Sequence, residues 1–355
     1  MWFCLLTLHS ELCTLHILSL EVYAMQKIER ADVALIYGGR GREREVSIKG
    51  MRHILPLIDQ DTYRLLLIFI DKEGRWLIDG KEVFPYKRGF FCPENGEFFA
   101  TDAAFPLLHG DFGEDGIVQG ALECANIPYV GCDVSAGAVS RDKAFVKIIA
   151  ESLGLPVLPF LTVFRREGVD YAVRRAEADL SYPMFIKPAR LGSSVGARDA
   201  KSREELIATL NTAFSLSEKV IIEPCLTDKR ELECGYFSIK SKELFTNPGE
   251  ILCGGVYGYE EKYHSDSIGL ALRADLEPTV CQAIREYSRR LVRALGVRDI
   301  SRIDFFLSKD NLYFNEINTL PGFTEGSLYA KMVEGGGISE RELIAGLIEN
   351  ARSRG

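Results

Sequence analysis

The sequence predicts an open α/β domain in its N-terminal third, and three observations carry that reading. Residues 32–39 ("DVALIYGG"), 63–71 ("YRLLLIFID") and 103–110 ("AAFPLLHG") are apolar runs of strand length, as buried parallel strands require. The first and third end in loops with glycines. Between the first two lies "GREREVSIKGMRHILPLI", whose pattern is helical. Ligands in such sheets sit beyond the carboxyl ends of the strands, so the loops that follow these runs are candidate site positions.

Further along, a helix is expected from Ser140 to Leu153, ended by Gly154 and Pro156. "YPMFIKP" (182–188) reads as a strand before the glycine-rich "ARLGSSVGA". "KVIIEPCL" (219–226) is a strand reaching a proline, and "RELECGYFSI" (230–239) is a strand of alternating character. "PTVCQAIREYSRRLVRALG" (278–296) has Pro in its first turn, apolar residues at helical spacing and a terminal Gly, which predicts a helix. No internal repeat or low-complexity linker interrupts the chain, so its domains are expected to pack closely.

Composition sets the limits. The 355 residues suffice for two or three domains with real cores. Apolar residues at 46% and charged ones at 26% are ordinary for a globular protein, and a net charge of -8 argues against coating nucleic acid. The nine cysteines form no C-x-x-C pair and are odd in number, which speaks against a zinc site or disulfide framework and for a reducing compartment. Residues 1–24 are apolar but broken by His9, Glu11, His16 and Glu21, with no Lys or Arg before Lys27. That fits neither a signal peptide nor a membrane span. The expectation is an extension outside the fold, with translation beginning at Met25. A weak membrane-surface helix is the alternative.

"RIDFFLSKDNLYFNEINTLPG" (302–322) has the look of a β-hairpin with polar residues two apart on each strand. A three-residue loop, Lys309-Asp310-Asn311, with Asn311 left-handed, would pair Ser308 with Leu312. Asp304 would then face Glu316 and Arg302 would face Asn318. Ile303, Phe305 and Leu307 would line the other side with Tyr313 and Ile317. A slip of one residue would separate the carboxylates. Hard oxygen donors so opposed suit Mg²⁺, and the neighbouring Arg suits a developing anion. A solvated face with an incidental salt bridge fits the same spacing.

Other stretches carry weaker signals singly. "IKPARLGSSVG" (186–196) puts Lys187 at a strand end before glycines that let backbone N–H groups approach phosphate, or it is a surface loop. "SRDKAFVK" supplies Lys143 on a helix start, "GREREVS" places Glu43 near a helix N-terminus, and His109 ends a strand. Each has a bland counterpart: a solvated lysine, a carboxylate complementing a helix dipole, a structural histidine. "YGYEEKYHSDS" (257–267) reads as a lid loop. "NTLPGFTEGSLY" leads into a helix start near Ser327, whose N–H groups suit a carboxylate.

Seven motifs, "GGRGREREVS", "LLHGDFGEDGIVQG", "SRDKAF", "IKPARLGSSVG", "EEKYHSD", "RIDFF" and "NEINTLPGFTEGSL", closely resemble those of D-alanine–D-alanine ligases of the ATP-grasp superfamily. They stand in the family's order and span about residues 31 to 350. The resemblance implies an ATP-grasp fold: an N-terminal open parallel α/β domain (25–131), then central (132–224) and C-terminal (225–355) α+β domains sandwiching ATP. It implies a cytoplasmic enzyme of peptidoglycan precursor synthesis that joins two D-alanines through a D-alanyl phosphate, using ATP and two Mg²⁺ (or Mn²⁺), with no stable membrane association. A homodimer is implied as well.

Carried over by motif, Glu43 binds the first ammonium, held by hydrogen bonds involving Ser193 and Tyr263, with His109 beside it. Lys143 and Lys187 contact phosphates, and Lys262 reaches the γ-phosphate. Glu223 and Leu226 border the adenine and Glu231 the ribose. Asp304, Glu316 and Asn318 hold the metals. Arg302 and the Gly322 backbone stabilise the tetrahedral intermediate, and Ser327 and Leu328 grip the second carboxylate. Pro224 replaces a lysine found in some members, and Tyr263 argues for an amine acceptor. A D-lactate or D-serine ligase on this scaffold is the nearest alternative. A non-catalytic nucleotide-binding regulator would have lost part of this set.

Overall fold

The computed structural model describes residues 30–252 and 269–355. The extension, Met25, Lys262, Tyr263 and the lid loop lie outside the described residues.

The first sheet holds β1 (Ala31–Gly38), β2 (Tyr63–Ile70), β3 (Trp76–Ile78), β4 (Lys81–Tyr86), β5 (Gly89–Phe91), β6 (Phe98–Ala100) and β7 (Ala103–Pro106). Their order is β6-β5-β4-β3-β2-β1-β7. β1 sits between β2 and β7 and is parallel to both, as expected. The short strands β3 to β6 add an antiparallel meander, which the parallel expectation lacked. Hairpin-length connections cannot make parallel crossovers.

Alternate residues of β1 feed two cores. Val33 and Leu35 pack with Met51 and Ile54 of α1 (Arg44–Ile54). Ala34 and Ile36 face Val118 and Leu122 of α2 (Ile117–Cys124).

The expected helix over 140–153 is two helices, α3 (Val134–Arg141) and α4 (Lys143–Ser152). Asp142 separates them. Its backbone is extended (φ -90°, ψ 102°) and its carboxylate accepts from the Ala144 and Phe145 N–H groups, a side-chain N-cap.

A four-stranded sheet follows, β8 (Leu161–Phe164), β9 (Met184–Pro188), β10 (Arg198–Ala200) and β11 (Lys219–Pro224), in the order β10-β9-β11-β8. It carries α5 (Val169–Asp179) and α6 (Arg203–Leu216) on one face, packed on Met184, Ile186, Val220 and Ile222. Its other face presents Lys187 and Glu223.

The last sheet contains β12 (Arg230–Ile239), β13 (Lys242–Phe245), β14 (Gly249–Leu252), β15 (Gly269–Ala271), β16 (Ile300–Ser308) and β17 (Asn311–Asn318). The order is β15-β14-β12-β16-β17, with β13 on β12. Its apolar face, including Leu232, Ile303, Phe305 and Phe314, packs on Ile284, Leu291 and Val292 of α7 (Pro278–Leu295). The chain ends in α8 (Leu328–Gly335) and α9 (Glu340–Arg352). Leu343, Ile344, Leu347 and Ile348 of α9 return to the β1 core, tying the chain's end to its first sheet. Among the described residues, no helix is long and apolar enough to cross a membrane.

Candidate active site

The site lies where the polar faces of the second and third sheets meet. A cavity of about 80 Å³ is lined by Lys187 of β9, by Gly192 to Val195 of the following loop, and by Glu231, Glu233, Arg302, Asp304 and Glu316 across it.

The floor is the β16–β17 hairpin, and its register is reached by an unexpected route. The turn is Lys309-Asp310, both left-handed (φ 47° and 67°), and Ser308 pairs with Asn311. This corrects the expected three-residue loop with a left-handed Asn311. A two-residue turn of this hand matches the twist of the strands. Asn311 Nδ2 donates to the Lys309 carbonyl at 3.1 Å. That turn alone would bring Asp304 opposite Asn315. A bulge between Phe305 and Asp304 leaves Asn315 over, so Asp304 lies opposite Glu316 and Arg302 opposite Asn318. The four polar groups share a face, as expected. Tyr313 does not join the apolar side: it pairs with Phe306, and Phe314 takes that place against Phe305, ring centroids 6.1 Å apart.

Arg302 forms a fork on Asp304, Nε to Oδ1 at 2.8 Å and Nη2 to Oδ2 at 2.6 Å. Asn318 Nδ2 donates to the same Oδ2 at 3.2 Å. Burial would lower the Arg302 pKa, but Asp304 and Glu233 outweigh it and hold the guanidinium charged, well above its ordinary value. Glu316 pairs with Lys143 at 3.0 Å, and Lys143 also donates to the Leu191 carbonyl at 2.8 Å.

Beside this floor lies a closed triad. Glu223 meets Lys147 at 2.6 Å and Lys187 at 2.7 Å, and Lys187 donates to Asn315 Oδ1 at 3.1 Å. Burial pushes the Glu223 carboxyl up, yet the two lysines outweigh it and bring it down to about 2. Burial pulls the Lys147 ammonium down against the pull of Glu223. Glu223 does not line the adjoining recess; its partner Lys187 does, with Phe185, Pro224, Leu226, Lys229 and Phe306. Glu231 pairs with Lys229 at 2.8 Å.

The first sheet supplies the far wall. Glu43 accepts a hydrogen bond from Ser193 Oγ, which joins the loop after β1 to the glycine-rich loop. Ser193 and Ser194 are both left-handed (φ 52° and 57°), so this loop holds a strained shape. His109 Nδ1 is 3.2 Å from the Leu320 carbonyl. Burial lowers its pKa and the Glu43 charge opposes this, which leaves a neutral imidazole at neutral pH. Glu114 is pushed up to about 7 by burial, with Arg141 opposing at 3.1 Å and Glu43 adding. Ser327, the N-cap of α8, donates from Oγ to the Gly322 carbonyl, and Leu328 begins the helix.

Sequence reasoning missed Lys147, Glu233, Arg141, Glu114, Lys229 and Asn315. Two had a signal. Lys147 is four residues after Lys143, on the same helical face, and Glu233 is two after Glu231, on the same strand face.

The donor set fits a hard cation. Two opposed carboxylates, Asp304 and Glu316, share one face with the Asn318 amide, and a third carboxylate, Glu233, stands opposite Asp304 on β12. Among the described residues, no three His, Cys, Asp or Glu side chains converge into a ready cluster. Asp304 is turned to Arg302, and Glu316 to Lys143.

The family models for the D-ala D-ala ligase N-terminus and C-terminus match residues 32–132 and 149–349. The D-alanine–D-alanine ligase of Caldicellulosiruptor bescii is 39% identical, over 91% of this chain and 95% of that one. The chain belongs to the D-alanine–D-alanine ligase family. The ligase of Deinococcus radiodurans is 38% identical, over 90% of this chain and 98% of that one. Two crystal structures of family members superpose closely. The D-alanyl-alanine synthetase A of Vibrio cholerae gives a TM-score of 0.83 at 29% identity, covering 91% of this chain and 99% of that one. The VanG D-Ala:D-Ser ligase of Enterococcus faecalis gives 0.82 at 30%, covering 91% and 100%.

Proposed function

We propose that this chain joins two D-alanines into D-alanyl-D-alanine at the expense of ATP, releasing ADP and phosphate. The observation that carries the reading is the floor: Arg302, Asp304, Glu316 and Asn318 on one face, with Lys143 and Lys187 above them. A carboxylate is a poor electrophile, so amide formation needs it activated, and phosphoryl transfer needs positioning and charge neutralisation above all.

Each residue then has a task. Glu43, oriented by Ser193, receives the ammonium of the first D-alanine, with neutral His109 beside it. Lys143 and Lys187 hold phosphate oxygens. Leu226 and the recess around it take the adenine, with Glu223 bordering it, and Glu231 takes the ribose. Asp304, Glu316 and Asn318 would hold Mg²⁺ or Mn²⁺, which supplies charge neutralisation for the phosphates. The Ser327 and Leu328 end of α8 receives the second carboxylate, where N–H groups and helix dipole favour an anion. Once the second amine attacks the acyl phosphate, Arg302 and the Gly322 N–H stabilise the oxyanion. Lys262 and Tyr263, outside the described residues, keep the roles the family resemblance implies, Lys262 for the γ-phosphate and Tyr263 in the hydrogen bonding of Glu43.

The three sheets support a division into domains at 25–131, 132–224 and 225–355. A homodimer in the cytoplasm completes the proposal.

The test is ADP release by the purified chain. It should require both D-alanine and Mg²⁺; release that ignores D-alanine would favour a nucleotide-binding regulator. The likeness to a D-Ala:D-Ser ligase motivates a second reading, a D-serine acceptor. Product analysis with mixed D-alanine, D-serine and D-lactate separates the two, and the dipeptide of D-alanine should dominate.

A further inference from the structure

We infer that Glu233 is a positioning residue that takes charge of Arg302 when Asp304 binds a cation. The inference rests on the metal reading given above. Glu233 stands next to Asp304 in the sheet, with Glu316 on the far side: β12 pairs Glu233 with Asp304, and β17 pairs Glu316 with Asp304. Three carboxylates therefore form a row across three strands. In the next row Arg302 lies between Gly235 and Asn318.

Both oxygens of Asp304 are engaged, Oδ1 by Arg302 Nε and Oδ2 by Arg302 Nη2 and by Asn318. Three of its roughly four lone-pair sites are taken, and a cation bound at Asp304 would repel the guanidinium and loosen that fork. Arg302, 22% exposed on this face, then needs another anion. Glu233 is already within reach, its Oε1 3.2 Å from Arg302 Nε, and its side chain is 6% exposed. A shift of the guanidinium towards Glu233 frees Asp304 while keeping Arg302 charged and on the cavity wall. Glu233 thus sets how readily the floor accepts a cation, acting through Arg302 rather than touching substrate.

The test measures Mn²⁺ binding by electron paramagnetic resonance, in the full chain with a non-hydrolysable ATP analogue, so no turnover is needed. Glu233→Gln should weaken Mn²⁺ binding about tenfold, the scale of losing an outer-shell partner. Arg302→Gln should bind Mn²⁺ at least as tightly as wild type, because Asp304 is then unencumbered. In the Arg302→Gln background, adding Glu233→Gln should change binding less than about twofold, since the coupling partner is gone. Unchanged binding in Glu233→Gln overturns the inference alone. So does an equal loss with and without Arg302, which would mark Glu233 as a general counter-charge. Absence of Mn²⁺ binding in the wild-type chain overturns the metal reading and this inference with it. Thermal melts of each variant separate these outcomes from misfolding, and Arg302→Gln gives an independent reading if Glu233→Gln does not fold.

Discussion

Two charged clusters lie side by side and are built to opposite ends. In the Lys147–Glu223–Lys187 triad, Lys147 and Glu223 are each 1% exposed, and both Glu223 oxygens are held by lysines. On the hairpin floor, Arg302 and Asp304 are 22% and 13% exposed, and Lys143 and Glu316 are 12% and 21%. The partners are similar, but of the triad only Lys187 reaches the cavity, whereas the second set opens onto it. A buried, saturated pair cannot exchange partners without exposing a naked charge, so it fixes geometry. A pair at a cavity wall can trade a partner for a ligand. Lys187 belongs to both clusters, anchored below by Glu223 and reaching Asn315 of the floor.

The sharpest break of this contrast is insertion of one alanine between Asn315 and Glu316. The Asp304–Glu316 alignment allows one extra residue at the bulge and no more. With a second, Glu316 and Asn318 turn to the apolar face, and D-alanine-dependent ADP release should fall below detection. Substantial remaining activity would show that the register does not set the floor. Asp304→Asn is subtler. Turnover should drop by about 10²–10³, the scale for losing one preorganised electrostatic group, while the melting temperature hardly moves. Near-normal turnover would refute the role given to Asp304.

Glu223→Gln should do the reverse of Asp304→Asn and damage the fold first. Leaving two lysines without their anion costs about 3–5 kcal/mol, readable by urea unfolding at neutral pH. The pH dependence has a definite sign. The folded carboxyl is depressed to about 2 from its ordinary 4.5, so its stabilisation is present above 4.5 and is lost as pH falls towards 2. The gap between wild type and variant should therefore narrow on the acid side. A gap that stays constant from neutral to acid would mean that Glu223 is not the ionised hub of the triad.

Much of this arrangement is local and so legible in the chain. The strand over 230–239 and the helix from Pro278 follow directly from alternation, from apolar spacing and from Pro and Gly at the ends. Asp142 illustrates what misleads: an apolar helical pattern runs through 140–153, yet one buried carboxylate restarts the helix at Lys143. The hairpin illustrates the opposite. The sharing of a face was reached from a wrong turn, because two errors of one residue, in the turn and at the bulge, cancelled.

By itself the sequence determined the period-two pairs Arg302/Asp304 and Glu316/Asn318, the strand that ends at Lys187, and the glycines beside Ser193. Backbone geometry makes such spacing a local property. Only the tertiary structure decided that Asn315 is the residue left over, that Lys147 and Lys187 close on Glu223, and that Glu233 joins Asp304 and Glu316 in one row. These depend on which strands become neighbours and on how a buried charge finds its partner. Those choices are made by burial and desolvation across the whole fold, and no window of sequence contains them.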